Sequence, residues 1–222
     1  MLSSILIRPA LLILLCFFSF HNLAGSKALN KQTKLNDLVN ILQSYLTFQS
    51  DFSQKVSQDK RPPQVSTGSI MLKKPGQFIW QLKQPFPQKL ISDGKQTWQY
   101  DEDLAQVVIS SINHDKSNFN LIHIIEKPSS IKDHFKLMQA SQKNSNMQQF
   151  TLTSIKQGSP IKEVTLVFKQ NRLLQVDYVN AMNQQVEIDF LSPKLNKKIS
   201  SNKFKFIPPK GVEIINETPL LH

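Results

Sequence analysis

The chain has 222 residues, 40% of them hydrophobic and 19% charged, the balance of a globular chain with one good-sized core and not of a disordered one. Its formal charge is +11, and its single cysteine and 6 glycines exclude a disulfide framework and argue against a glycine-rich phosphate loop. The lysines are scattered apart from pairs such as Lys73-Lys74 and Lys197-Lys198.

The N-terminus has the layout of a secretory signal peptide. Arg8 precedes the apolar run "PALLILLCFFSF", and the small-residue stretch "NLAGSKA" follows it. The run is short of the roughly 20 residues that a spanning helix needs. Residues 1–28 are therefore expected to be a signal, cleaved after Ser26 or after Ala28, with 29–222 as a single domain. Cys16 lies within the signal between Leu15 and Phe17, which is not the small-residue context of a lipoprotein cysteine. Removing 1–28 takes away Arg8 and Lys27 and no acid, leaving 25 basic residues against 16 acidic ones and a charge of +9. For an exported protein this points away from nucleic acid and toward an anionic membrane surface, an acidic partner or simply a solvated basic surface.

In residues 34–48, Leu35, Leu38, Val39, Leu42 and Leu46 follow the spacing of one stripe of an amphipathic helix. "SDFSQKV" continues that helix or begins a strand, and Pro62-Pro63 then breaks either element. Short alternating segments follow: "STGSIMLKKP" with Ile70 and Leu72 on one face, then "GQFIWQL" with Phe78, Trp80 and Leu82 on one face. "QKLIS" ends at Asp93-Gly94, a hairpin signal, and "QTWQYD" places Trp98 and Tyr100 together before "QVVIS". Residues 118–128, "NFNLIHIIEKP", read as a short helix ended by its proline. "FTLTSIK", "EVTLVF", "LLQVDYV" and "QVEIDFL" then repeat the strand pattern, the last alternating Val186, Ile188 and Phe190 with Glu187 and Asp189.

The expected fold is mainly β with some α. About 9–11 antiparallel strands form an incomplete barrel, lidded by the N-terminal helix and short midchain helices around an apolar cavity. A sheet of this size curls, and a few helices cover its apolar face only in part.

Catalytic signals are missing. His114, His123 and His134 are spaced too far apart for a zinc pair, and His21 and His222 lie at the two ends. Asp101-Glu102-Asp103 reads as a polar turn. No nucleophile elbow is present, so no enzyme, metal or cofactor is expected.

The stretch "GSIMLKKPGQFIWQLKQPFPQKLISDGKQTWQYDEDLAQV" resembles the family of periplasmic outer-membrane lipoprotein carrier proteins, the LolA family. The match rests on a basic residue and proline before a phenylalanine and tryptophan, then Ser-Asp-Gly-Lys and an aromatic-rich strand. "FQSDFSQKV" matches the family's Phe-x-x-x-Phe-x-Gln pattern, and "FKFIPPKGVEI", residues 204–214, resembles its C-terminal strand and ending.

The resemblance implies an unclosed β-barrel whose apolar interior holds lipoprotein acyl chains. It also implies a periplasmic monomer that takes acylated lipoproteins from an inner-membrane ABC-type releasing complex and passes them to an outer-membrane receptor. Phe78 takes the place of the family phenylalanine at the cavity mouth, with Trp80 beside it; Leu42, Ile70, Leu72, Leu90 and Trp98 are further lining candidates. Lys74 stands where the family has an arginine that latches the lid, and a lysine offers a point charge in place of a planar fork. The midchain helix also lacks the family's Pro-Ala-Leu-Leu-like run. Three other readings stand beside the carrier: an outer-membrane receptor of the same fold, an exported regulatory or structural module whose apolar face is fully self-packed, and a hydrolase with an unrecognised site.

Overall fold

A computed structural model describes residues 23–59, 61–111, 121–144 and 146–217. The apolar segment of the expected signal, within residues 1–22, lies outside the described residues, as does His114. Helix α1 runs from Leu23 to Gln43 and buries the expected stripe of Leu35, Leu38, Val39 and Leu42. The stripe stops one member early. The chain turns at Ser44–Leu46, so Tyr45 enters the core while Leu46 is left 66% exposed. The Asn196 side chain fixes this turn: its Oδ1 accepts the Leu46 and Thr47 N–H groups, and its Nδ2 donates to the Ser44 carbonyl.

Among the described residues twelve strands form one sheet. Its first half comprises β1 (Thr47–Ser57), β2 (Gln64–Lys73), β3 (Gln77–Gln84), β4 (Gln88–Asp93), β5 (Gln96–Asp101) and β6 (Gln106–Ser111). After α2 (Leu121–Glu126) and α3 (Ile131–His134) come β7 (Phe135–Asn144), β8 (Met147–Ser154), β9 (Ile161–Lys169), β10 (Arg172–Asn180), β11 (Gln185–Leu195) and β12 (Glu213–Asn216). The spatial order is β12-β6-β5-β4-β3-β2-β1-β11-β10-β9-β8-β7. Two meanders thus meet where β1 pairs antiparallel with β11, and the outer strands β7 and β12 leave the barrel open. Turn chemistry sets the hairpins. At Asp93-Gly94 the carboxylate accepts the N–H groups of Lys95 and Gln96, and Gly94 takes a φ of 96° that a side chain would resist.

The sheet has one strand more than the expected 9–11, and the addition is β7. Strand β7 hides its period, because a bulge after Leu137 turns Met138 outward, 48% exposed. The expected strand at 204–214 is mostly irregular. A short 3-10 turn at Ser201–Phe204 is followed by open chain, and only Glu213–Asn216 pairs, parallel to β6.

The sheet has two apolar faces of unequal size. The concave face carries Phe48, Phe52, Ile70, Leu72, Phe78, Val186, Ile188 and Phe190, and packs with α1 and α2 into one core. On the convex face Ile91, Trp98 and Val107 form a smaller cluster against Ile79, Tyr100 and Ile109. Phe206 and Val212 of the C-terminal segment cover it, the Phe206 ring lying 6.1 Å from Trp98 and 5.8 Å from Tyr100.

Candidate functional site

Strand register decides which residues meet under the helices. Phe48, Leu72 and Phe78 lie in one row across β1, β2 and β3; Ile70, Trp80 and Leu90 lie in the next across β2, β3 and β4. Above these rows α1 sets Leu38 and Leu42, and α2 sets Ile122, Ile124 and Ile125, all buried. Gly68 leaves space for the Phe52 ring. A Cβ there would stand 2.5 Å from Phe52 Cζ and would overlap the Gln81 carbonyl oxygen. Phe52 in turn stacks on Trp80 with ring centroids 4.3 Å apart.

The core is not sealed at one side. A recess of about 200 Å³ opens between the concave face and α2, lined by Gln54, Trp80, Leu90, Leu121, Ile122, Tyr178 and Ile188. Burial raises the Tyr178 phenol above its ordinary pKa, so the hydroxyl stays neutral. Gln54 and this hydroxyl are the polar groups of an otherwise apolar lining. Among the described residues no three His, Cys, Asp or Glu side chains converge as a metal site would need. The chemistry such a recess offers is exclusion of water from apolar matter.

One loop holds both helices. The Lys74 ammonium donates to the Leu42 carbonyl at the end of α1, 2.8 Å away, where the helix carries partial negative charge. Two residues on, the Gly76 N–H donates to the Glu126 carboxylate at the end of α2, at 2.9 Å. Burial pulls Lys74 down to about 8 from its ordinary 10.5, and the nearby Glu126 charge holds it from falling further.

The structure distributes the residues singled out in the sequence. Leu42, Ile70, Leu72 and Phe78 lie together at the buried interface of sheet and helices, and Phe78 is 8% exposed. Trp80 and Leu90 line the recess, and Lys74 joins the loop to α1. Trp98 does not join them, a correction to its place among the lining candidates. It pairs with Ile91, whereas Leu90 pairs with Gln99, so Trp98 points to the convex cluster. Leu121, Ile122, Tyr178 and Ile188 complete the recess and were not singled out. Ile188 had a signal in the alternation of β11, but only the β1–β11 register places it opposite Gln54.

Known proteins resemble this chain along most of its length. Residues 43–207 match the family model described as "Outer membrane lipoprotein carrier protein LolA". An outer-membrane lipoprotein carrier protein of Hahella chejuensis is 28% identical over 207 residues, covering 93% of this chain and 99% of that one. A protein of the same name from Legionella pneumophila strain Corby is 28% identical over 206 residues, covering 93% and 98%. Among solved structures, an uncharacterized conserved protein from Thermus thermophilus shares the fold with a TM-score of 0.53. It is 13% identical, and the match covers 84% of this chain and 99% of that one.

Proposed function

The chain belongs to the family of outer-membrane lipoprotein carrier proteins, LolA, and from that premise we propose that it is a periplasmic carrier which shelters lipoprotein acyl chains between its concave sheet face and its helices. The family is one of carriers and not of enzymes. The observation that carries the reading is the continuous apolar interface under α1 and α2, open to solvent at the Trp80 recess.

Magnitudes explain why the interface must open. An acyl chain held away from water is worth about 0.8 kcal/mol per methylene, roughly 12 kcal/mol for one long chain. A recess of about 200 Å³ is smaller than the roughly 300–1,000 Å³ of ordinary small-molecule sites, so it serves as an entrance and not as the whole site. Acyl chains entering past Trp80 and Leu90 displace α2 and then α1, and occupy the places where helix side chains now touch Ile70, Leu72 and Phe78. Lipid takes over the apolar sheet surface that the helices vacate, so loading needs little net energy from the protein. Lys74 acts as a latch on α1 through its bond to Leu42, and Glu126 as one on α2 through its bond to Gly76. An ATP-driven inner-membrane complex supplies the cargo, and an outer-membrane receptor with a more favourable apolar site removes it.

The test is isolation of the tagged protein from a Gram-negative periplasm, followed by mass spectrometry of what accompanies it. Acylated proteins should be present, and a fluorescent fatty-acyl probe should compete with them and shift the emission of Trp80. A preparation free of acylated species that also fails to bind the probe would mark the interface as permanently self-packed and end the carrier reading.

A further inference from the structure

A second cleft lies on the outer surface, between β10 and β11. Two irregularities in adjacent strands create it. In β10 the pairing with β9 skips Leu174, so that Leu173 faces Phe168 and Gln175 faces Val167. In β11 the two residues Ser192 and Pro193 stand opposite the single Ser50 of β1, between Leu191 opposite Asp51 and Lys194 opposite Gln49, and Ser192 takes a φ of 55°. The β10–β11 ladder consequently begins only at Gln175 opposite Asp189, and the strands part beyond it. The space between them is about 500 Å³, with Lys169, Arg172 and Leu174 on one side and Ser192, Pro193 and Lys194 on the other.

Three cations face this space and no carboxylate lines it. The ion pairs among the described residues use Lys34, Lys55, Lys83 and Lys89, so Lys169, Arg172 and Lys194 hold their charges without a counter-charge. Gathering like charges is unfavourable until an anion joins them. The walls are held in place before any ligand arrives. The buried Tyr45 hydroxyl donates to the Asn171 carbonyl and accepts the Leu173 N–H, anchoring the hairpin that carries Lys169 and Arg172. On the other wall the Ser50 hydroxyl shares its one proton between the Asp51 carbonyl at 2.7 Å and the Leu191 carbonyl at 3.0 Å. Bulges commonly re-aim side chains at binding sites, and the guanidinium fork fits phosphate oxygens in pairs. Leu174 and Pro193 give the cleft an apolar floor beside the charges.

We propose that the cleft framed by Lys169, Arg172 and Lys194 is a binding site for a phosphate group, carried on an anionic phospholipid headgroup or free in solution. It is separate from the lipid-facing interior, since Leu173 and Phe190 of the same strands point into the concave core while Arg172 and Lys194 are exposed.

The experiment uses the whole mature protein in two arms. Inorganic phosphate is titrated while amide signals are followed by NMR, and co-sedimentation is measured with vesicles of phosphatidylglycerol in phosphatidylcholine. Shifts confined to residues 169–174 and 191–195, or phosphatidylglycerol-dependent sedimentation, are expected; the arm that responds identifies the source of the phosphate. Arg172→Gln with Lys194→Gln should weaken the response about tenfold or more. The control Lys34→Gln with Lys136→Gln removes the same net charge elsewhere and should leave it within about twofold. Equal loss in both double variants would show bulk charge at work and overturn the site. So would no response in either arm, or tighter binding of a glutamate-rich peptide than of phosphate. Unfolding curves of each variant establish that a lost response is not a lost fold.

Discussion

Replacing Lys74 by Met keeps the length of the stem and removes its charge, and the consequences can be worked out from the geometry. The ammonium makes a charged hydrogen bond of 2.8 Å to the Leu42 carbonyl, and such bonds contribute about 1.5–3 kcal/mol. Burial opposes this. A fall from 10.5 to about 8 corresponds to at most about 3 kcal/mol, and because the side chain is only half-buried, solvent screening cuts that to about 1–2 kcal/mol. The two contributions nearly cancel at neutral pH, so Lys74→Met should change global stability by less than about 1 kcal/mol. The effect falls instead on a smaller equilibrium, detachment of the last turn of α1 from the sheet. Native-state hydrogen exchange of the α1 amides should quicken by up to about fivefold, and the fatty-acyl probe should bind faster.

The pH dependence has a definite sign. Lys74 holds its proton less tightly in the folded chain than in the unfolded one, so the unfolded state binds more protons between pH 8 and 10.5. Stability must therefore rise with pH across that window, by about 1–2 kcal/mol in the wild type and not in the Met variant. Below pH 8 both states keep the proton and the contribution is flat. Urea unfolding of the two proteins from pH 7 to 10.5 measures this. A difference that stays flat or falls with pH, or a loss above about 3 kcal/mol at pH 7, would refute the balance and the latch with it.

Gly68→Ala drives a methyl into the Gln81 carbonyl and the Phe52 ring, and should cost about 2–3 kcal/mol in urea unfolding. Because Phe52 stacks on Trp80, the emission of Trp80 should change with it. Trp98→Ala leaves a cavity in the convex cluster and should cost about 3–5 kcal/mol while leaving probe affinity unchanged. Trp80 is then the one remaining tryptophan, so its fluorescence reads probe binding directly. Tyr45→Phe leaves the Leu173 N–H without its acceptor and should cost about 1–3 kcal/mol, measured by thermal unfolding.

Local period and turn chemistry made much of this architecture legible. The alternation of Phe78 and Trp80 named an apolar face, Asp93-Gly94 named its hairpin, and the stripe from Leu35 to Leu42 named the covering helix. What local pattern cannot carry is register and deviation from register. Trp98 alternates as cleanly as Trp80, and only the pairing of β4 with β5 sends it to the opposite face. Leu46 continued the helical spacing, but Asn196, 150 residues along the chain, ends the helix before it. Strand β7 was illegible because its bulge at Met138 breaks the period, and the outer cleft because it arises from two bulges whose effects add only when the strands are neighbours.

The small convex cluster gives the wall of β3–β6 a second dry side. If the helices leave the concave face as proposed, Ile79, Ile91, Trp98 and Val107 keep the cover that Phe206 and Val212 give them. In the proposed cycle the wall acts as a keel, holding the curvature of the open half-barrel while the interior changes occupant. In that proposal cargo exchange is insulated from unfolding, and the C-terminal segment, packed on the face of the sheet opposite Trp80, sets how much loosening the sheet tolerates before it gives way.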